Sequence, residues 1–352
     1  MGIRKNAAAL TDAERDRFLS ALLKLKHRPA PTADNPGFTL YDRFVALHGA
    51  VMSVAAPGQA EPLNFAHWNI GFCAWHREFL RHFELALQAE EPDAALPYWD
   101  WADHDRTRDR VFTDGFLGRL LPGRQPAPMP GGNLAHDGPQ PRPAWWPAEG
   151  VGWRIAAELQ EPLYPSETTN AAVLNATLHR GVAESGGVPV GWPPTAAALQ
   201  GLIEMGAPSP EEHPFWFFWD ALEQGWRTHN AAHNFLGGQM AGSLSPNDPV
   251  FWLLHAEVDR LWHLWQLDRL AKGPGTTLAD HYPPAGTPSP WDGRPAPSGH
   301  YLDDLMWPWV AGADGYAPTN PALAPLLPDF GAVPARRVRD VLDIAALGYS
   351  YE

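Results

Sequence analysis

Histidines at particular spacings are the residues of this sequence that could do chemistry. His229 and His233 lie four positions apart, so on a helix their imidazoles project side by side from one face. Burying several imidazoles is unfavourable unless each finds a partner, and one metal ion can partner several neutral imidazoles at once. The sequence therefore predicts two metal sites of three histidines each: His48, His67 and His76, then His229, His233 and His255.

The residue types around these histidines narrow the choice of metal. Cys73 is the single cysteine, which excludes thiolate-rich metal sites and a disulfide framework, and we expect it to be a buried thiol. Zinc can use three histidines. Two sets made only of imidazoles nevertheless favour a pair of copper ions, because copper stands above zinc in the Irving–Williams order of affinities and imidazole suits it as a ligand. A di-iron bundle needs Glu-x-x-His motifs, and no glutamate here has a histidine three residues later.

Helical periodicity surrounds most of these histidines. Apolar residues recur at helical spacing over residues 13–25, 40–51, 68–88, 215–236 and 248–270. Thr11 is the expected N-cap of the first helix, and a short helix is expected near the C-terminus. The predicted fold class is mainly α: a four-helix bundle that holds the metal centre, with long Pro/Gly-rich loops and few short strands.

The composition indicates long connections and excludes some partners. With 38 prolines and 32 glycines in 352 residues, we expect irregular loops, above all between about residues 103 and 210, packed over the surface, and again over 272–298. A net charge of −14 argues against nucleic acid as a partner. We find no signal peptide and no apolar run of membrane-spanning length, so we expect a cytoplasmic protein without membrane contact.

The motifs around the histidines resemble those of the tyrosinase family, the type-3 dicopper proteins that include tyrosinases, catechol oxidases, o-aminophenol oxidases and haemocyanins. The run "WHREFLRHFE" is similar to the first copper motif, and "HNAAH", "SPNDPVFWLLH" and "VDRLW" are similar to the second. The resemblance is strongest to bacterial tyrosinases and runs the whole length. It implies a single catalytic domain over residues 1–352, ending at a tyrosine motif, "GYSY", that packs against Arg4.

The resemblance also implies an activity and its cofactors. Two copper ions, one per histidine group, would use dioxygen as co-substrate to hydroxylate small monophenols at the ortho carbon and to oxidise o-diphenols to o-quinones. Two alternatives stay open: an o-diphenol or o-aminophenol oxidase without monophenol activity, and a haemocyanin-like oxygen carrier. A copper-loading helper protein, which some bacterial relatives need, stays open as a partner.

Further site residues follow from the resemblance. In the family, an Asn directly after the first ligand of the second copper and a Glu upstream of it are thought to hold a water that takes the phenol proton. For both side chains to reach one water in this sequence, a helix must start or kink between them. The implied residues are Glu223 and Asn230 for catalysis and Asn234 and Phe251 for the substrate pocket. Glu84 and Asp259 lie on the helices that carry the predicted ligands, and we expect them to orient the ligand imidazoles.

The sequence departs from the family pattern in places. Phe65 stands where fungal and plant members carry a cysteine that forms a thioether with a ligand histidine, so we expect no thioether. Leu254 precedes His255 where other members have a second histidine. The sequence stops directly after the tyrosine motif, so we expect no plug over the active site and activity without proteolysis.

Overall fold

Helices make up most of the regular structure of the protein. The computed structural model describes residues 2–30, 38–121, 194–225, 227–310, 315–328 and 333–352, with short pieces of the segment 123–189. The α-helices of this part are α1 (Asp12–His27), α2 (Leu40–Val51), α3 (Phe72–Glu90), α4 (His104–Arg110), α5 (Ala196–Ile203), α6 (Pro214–Glu223), α7 (His229–Leu236) and α8 (Val250–Lys272). The mainly α fold class is therefore confirmed.

The strands of the described residues are short and pair two by two. Antiparallel pairs join β2 (Val54–Ala55) to β7 (Ala317–Pro318), β3 (Ala127–Pro128) to β4 (His179–Arg180), and β5 (Glu184–Ser185) to β6 (Val188–Pro189). The parallel pair is β1 (Gly2–Arg4) with β8 (Tyr349–Tyr351), in which Arg4 lies opposite Tyr351. This last pair brings the first and last described residues together beside the helices.

Side-chain hydrogen bonds determine where the first two helices begin. Thr11 caps α1 and Thr39 caps α2, and each threonine forms a reciprocal capping box with an acidic residue three positions later. These boxes satisfy amide groups that the first turn of a helix leaves without partners. The expected Thr11 cap and the expected bounds of α2 are both confirmed.

The helix expected over residues 68–88 begins later, at Phe72. Asn64 Oδ1 accepts hydrogen bonds from the amides of Ala66 and His67, which folds the preceding residues into a tight loop. Trp68 then adopts a left-handed backbone with φ of 59°. His67 is therefore presented by a loop and not by a helix.

The helix expected over residues 215–236 is two helices, α6 and α7. Gly225 lies in the break, where a Cβ would come 2.2 Å from the carbonyl oxygen of Ala221. Thr228 Oγ1 donates to the carbonyls of Ala221 and Gly225, which turns the chain before α7 begins at His229. Residue 226 lies outside the described residues.

Two other regions differ from the sequence-based expectation. The stretch from 103 to 210 contains α4 and α5, while most of its Pro/Gly-rich loops, and their expected packing over the surface, lie outside the described residues. The short helix expected near the C-terminus is a 3-10 turn, Val338–Val341.

Among the described helices, none combines the length and the apolar character that crossing a bilayer requires.

Aromatic rings fill the space between α2, α3 and α8. Phe83 of α3 stacks on Trp252 of α8, with ring centroids 3.5 Å apart, and Phe44 of α2 meets both rings edge-on. Such packing fixes the rotation of each helix about its axis, because a large ring fits in few orientations. With α7 against α8, these helices form the predicted four-helix bundle.

Candidate metal centre

The structure brings the predicted histidines together in two groups. In each group the three candidate ligand nitrogens lie within 4.8 Å of one another. In the described part of the chain, these are the two places where three such ligand atoms gather. One group takes a residue each from α2, the loop before α3 and α3, and the other takes two from α7 and one from α8: His48, His67 and His76, and His229, His233 and His255.

The two groups face each other across a short gap. The rings of His76 and His255 are stacked, with centroids 4.1 Å apart and planes 12° apart. The rings of His67 and His229 are 5.9 Å apart. The arrangement is therefore one binuclear centre between the helices, since two separate sites would not share ring contacts.

Backbone carbonyls orient several of the imidazoles. Each carbonyl accepts a hydrogen bond from a ring Nδ1, which places the proton on Nδ1 and leaves the lone pair of Nε2 free for a metal ion. The bonds run from His48 to Ser243 (2.6 Å), from His76 to Phe72 (2.9 Å) and from His233 to Met240 (2.7 Å).

The remaining ring nitrogens fit a bound metal ion. Nε2 of His48 and Nε2 of His76 are buried and have no hydrogen-bond partner in the described residues. Nε2 of His255 lies 3.3 Å from Nε2 of His229 and 3.4 Å from Nε2 of His233. Converging nitrogen lone pairs repel, and a cation between them satisfies all of them. The donor set therefore suits copper in both groups.

Burial keeps these imidazoles neutral. Desolvation is the largest cause in every case, and it lowers the pKa of His48 to about 3 and that of His233 to about 4. The pKa values of the other four lie well below the ordinary value for the same reason. A neutral imidazole is the form that binds a metal ion.

The second group is the one that opens toward solvent. His233 is partly exposed, whereas the other five histidines are buried. Asn234, next along α7, is exposed. Phe251 is buried, with its ring 4.2 Å from that of His255 and 4.9 Å from that of His48. Phe251 thus supports both groups, and Asn234 lies on the solvent side.

Glu223 ends α6 as a buried carboxylate. Its Oε1 accepts from the amide of Trp68 at 2.7 Å, and its Oε2 accepts from the indole Nε1 of Trp219 at 2.5 Å. Burial, only partly offset by these bonds, raises the pKa of Glu223 to about 8. The break after α6 is the interruption that the resemblance requires between Glu223 and Asn230.

Asn230 directly follows the first residue of α7. Its Oδ1 accepts from Nδ1 of His229 at 2.9 Å, and its Nδ2 donates to Gln224 Oε1 at 3.1 Å. Asn230 therefore orients the imidazole of His229, a candidate ligand, which is the kind of role that the sequence analysis predicted for Glu84 and Asp259.

Glu84 and Asp259 form hydrogen bonds with Arg4, and Asp259 also with the C-terminal tyrosines. Arg4 donates to Glu84 at 2.7 Å and to Asp259 at 3.1 Å, and the hydroxyls of Tyr349 and Tyr351 each donate to Asp259 at 2.6 Å. The hydrogen bonds of these two carboxylates therefore link the helices that carry the candidate ligands, and none of them reaches a candidate ligand ring. The expected contact of Arg4 with the tyrosine motif is present.

A buried ion pair that sequence reasoning missed supports the second group. The guanidinium of Arg180 donates from Nε and Nη2 to the two carboxylate oxygens of Asp248, both at 2.8 Å, and both side chains are fully buried. Asp248 also accepts from the amide of Val250 at the start of α8. Arg180 lies in a Pro/Gly-rich region without periodicity, so the sequence offered no signal for it.

Comparisons with known proteins match most of this chain. Residues 39–268 match the family model for the common central domain of tyrosinase. The tyrosinase of Streptomyces glaucescens is 33% identical over 318 residues, which cover 88% of this chain and 93% of that protein.

Solved structures share the fold. A point mutant of polyphenol oxidase from Thermothelomyces thermophila matches with a TM-score of 0.56 at 20% identity, covering 100% of this chain and 89% of that one. A functional unit of octopus hemocyanin matches with a TM-score of 0.53 at 20% identity, covering 100% of this chain and 68% of that one.

The chain belongs to the tyrosinase family of type-3 copper proteins, whose binuclear copper centre works with dioxygen. Within that family it is a tyrosinase-like copper enzyme, a polyphenol oxidase.

Proposed function

We propose that this enzyme uses dioxygen to hydroxylate monophenols at the ortho carbon and to oxidise o-diphenols to o-quinones. The copper ions would be held by His48, His67 and His76 and by His229, His233 and His255. The observation that carries the proposal is the convergence of neutral imidazoles in two groups that share ring contacts. When bound, the copper pair supplies dioxygen binding and electron transfer.

The second group suits the approach of a phenol. His233 is its partly exposed member, and Asn234 lies beside it on the solvent side. The ring of Phe251, buried 4.2 Å from that of His255, would form part of the apolar wall behind this group. Asn234 and Phe251 are therefore the side chains that we propose to orient the substrate ring.

Proton transfer is the step in which Glu223 and Asn230 would act. A free phenol has a pKa of about 10, so a base must take its proton at neutral pH. The ionised form of the buried Glu223, whose pKa is raised to about 8, would take that proton at a carboxylate oxygen or through a held water. With this pKa the ionised form is the minor one at neutral pH and grows as the pH rises. Asn230 keeps His229 oriented while the proton moves.

Copper quantitation followed by oxygen-uptake measurements tests the proposal. The expected result is two copper ions per chain and turnover of both substrate classes. Atom balance requires one dioxygen per quinone from a monophenol and half a dioxygen per quinone from an o-diphenol. Turnover of o-diphenols or o-aminophenols alone would indicate an oxidase without monophenol activity. Reversible oxygen binding without quinone formation would indicate a carrier.

A further inference from the structure

Both carboxylate oxygens of Glu223 accept a hydrogen bond, and the two donors come from different parts of the fold. Oε1 accepts from the backbone amide of Trp68, in the loop before α3, at 2.7 Å. Oε2 accepts from the indole Nε1 of Trp219, on α6, at 2.5 Å. A donor on each oxygen fixes the position and the plane of the carboxylate, while each oxygen keeps a second lone pair for a further partner.

Trp219 stands one turn before Glu223 on α6, a spacing at which two side chains meet on one face of a helix. Its indole is held by other rings: that of Trp216 lies 5.9 Å away and that of Trp291 6.1 Å away, both nearly edge-on. This packing restricts the orientations of the indole and keeps its N–H directed at Glu223. A benzene ring could make similar contacts but has no N–H, so packing alone does not account for a tryptophan here.

The hydrogen bonds oppose the effect of burial on Glu223. Burial favours the neutral acid, the bonds from Trp68 and Trp219 favour the carboxylate, and the charge of Asp220 adds slightly to the effect of burial, which together place the pKa of Glu223 at about 8. Cys73 of α3 also acts on Glu223, but burial raises the pKa of this thiol and keeps it neutral. A hydrogen bond to an ionised acceptor is stronger than one to a neutral acceptor. Loss of the indole bond would therefore extend the neutral acid to higher pH.

We propose that Trp219 is a positioning residue for Glu223, whose indole N–H holds the carboxylate in one orientation and favours the ionised form that can take the phenol proton. The inference rests on the proposed function and adds to it a residue that acts only through Glu223. Its consequence is specific. Removing the N–H changes the pH at which monophenol turnover rises, which a loss of packing alone would not do.

Trp219→Phe tests the proposal on the copper-loaded enzyme, because it keeps an aromatic ring and removes the N–H. In the wild type, kcat/KM for a monophenol should rise with pH through about 8, the pKa of Glu223. In the variant this rise should move up by about 1–2 pH units, which lowers the value at pH 7 by about 10- to 100-fold. The pH profile of catechol oxidation, measured alongside, should show no such shift.

Trp216→Phe is the matched control. Trp216 lies on the same helix and is buried to a similar degree, with 4% of its surface exposed against 7% for Trp219, but its indole Nε1 has no hydrogen-bond partner in the described residues. It should keep the wild-type profile. A Trp219→Phe profile with the wild-type midpoint, or an equal shift in Trp216→Phe, would overturn the proposal. If Trp219→Phe does not fold, replacement of Trp219 by 3-benzothienylalanine, which has sulfur in place of the N–H, decides the question.

An infrared titration separates this proposal from the proposed function. The C=O stretch of a protonated carboxyl group, assigned to Glu223 by its absence in Glu223→Gln, reports the pKa without any turnover. Catechol oxidation with no monophenol turnover at any pH would contradict the proposed function and leave this measurement valid. A Glu223 midpoint that Trp219→Phe raises and Trp216→Phe does not supports the positioning role, and an unchanged midpoint in Trp219→Phe overturns it.

Discussion

Arg77 and Asp259 join two of the helices that carry the ligand histidines. Arg77 Nε donates to Asp259 Oδ1 at 2.5 Å, and both side chains are buried. Arg77 directly follows His76 on α3, and Asp259 lies one turn after His255 on α8. The bond therefore fixes the distance between one histidine of each group without touching either imidazole.

Asp259→Asn should destabilise the protein at pH 7 and lose its effect in acid. Burial alone would raise the pKa of Asp259, but the charges of Arg77 and Arg4 outweigh burial and hold the pKa below its usual value. A carboxyl group with a lowered folded pKa adds stability above its unfolded pKa, about 3.9, and loses it as pH falls through the folded value. Urea unfolding should show a loss of about 3 kcal/mol at pH 7.

That loss should shrink only below about pH 4, where the Asp259 carboxyl takes up a proton in the unfolded chain before it does so in the folded wild type. Asp16→Asn, at an exposed carboxyl group of α1, is the control and should change little at any pH. A loss that stays constant down to pH 3 would contradict the assignment. The titratable or charged groups that act on Asp259 are Arg4, Arg77, Tyr349, Tyr351, His263 and Cys73.

His255→Ala should reduce the copper content from two ions per chain toward one and abolish oxygen uptake with catechol. The substitution removes the nitrogen that lies 3.3–3.4 Å from those of His229 and His233. His263→Ala, two turns further along the same helix, is the control and should keep both ions. Atomic absorption on the dialysed protein measures the content, and two retained ions in His255→Ala would refute the ligand assignment.

Glu223→Gln should lower monophenol turnover by about 100-fold or more, the usual contribution of a positioned base, while catechol oxidation persists. The amide keeps the size of the carboxylate but cannot take the phenol proton. Asp220→Asn, one turn earlier on α6 and partly exposed, controls for a general loss of charge. Initial rates with a monophenol and its o-diphenol measure the effect, and equal losses on both substrates would point to damage of the copper centre.

Asn230→Asp should preserve copper binding better than Asn230→Ala. Aspartate keeps an oxygen that can accept from Nδ1 of His229, and alanine does not. Alanine should therefore lose monophenol turnover and part of the second copper together. Copper content and monophenol rates of the two variants measure this, and identical copper content in both would show that the Asn230 bond does not orient His229.

Arg180→Met should unfold more easily and lose the second copper first. The substitution leaves Asp248 buried and unpaired, which costs about 3–5 kcal/mol, at the start of the helix that carries His255. Arg119→Met removes an exposed arginine that pairs with Asp114 and should change little. Urea unfolding and copper analysis measure both effects, and unchanged stability in Arg180→Met would be incompatible with this role.

Gly225→Ala should destabilise the junction between α6 and α7 by about 1–3 kcal/mol, because its Cβ meets the Ala221 carbonyl oxygen at 2.2 Å. Gly201→Ala is the matched control, since a Cβ there has open space within α5, and it should stabilise by about 0.5–1 kcal/mol. Thermal unfolding measures both. Equal shifts for the two variants would mean that the junction adapts to a side chain.

Local patterns predicted the histidines better than their surroundings. The four-residue spacing of His229 and His233 and the apolar stripes are properties of a single helix, so they can be predicted from the sequence alone. The position of His67 depends on a loop that the hydrogen bonds of Asn64 hold in place. The apolar pattern gave no sign of where that loop ends, so the predicted helix began at residue 68, four residues too early. The bonds of Asp259 join residues far apart in sequence, which spacing along one helix cannot reveal.

The pairing of β1 with β8 has a consequence for how the protein is made. Arg4 and Tyr351 are 347 positions apart in sequence yet share a hydrogen bond. A chain that emerges from the ribosome N-terminus first cannot close this contact until Tyr351 has been synthesised. Until then the Arg4 guanidinium lacks the Tyr351 hydroxyl, and the hydrogen-bond network that links Glu84 of α3 to Asp259 of α8 through Arg4 is incomplete. The helices that carry the histidines therefore gain this part of their support only after the residues that follow α8 have been made.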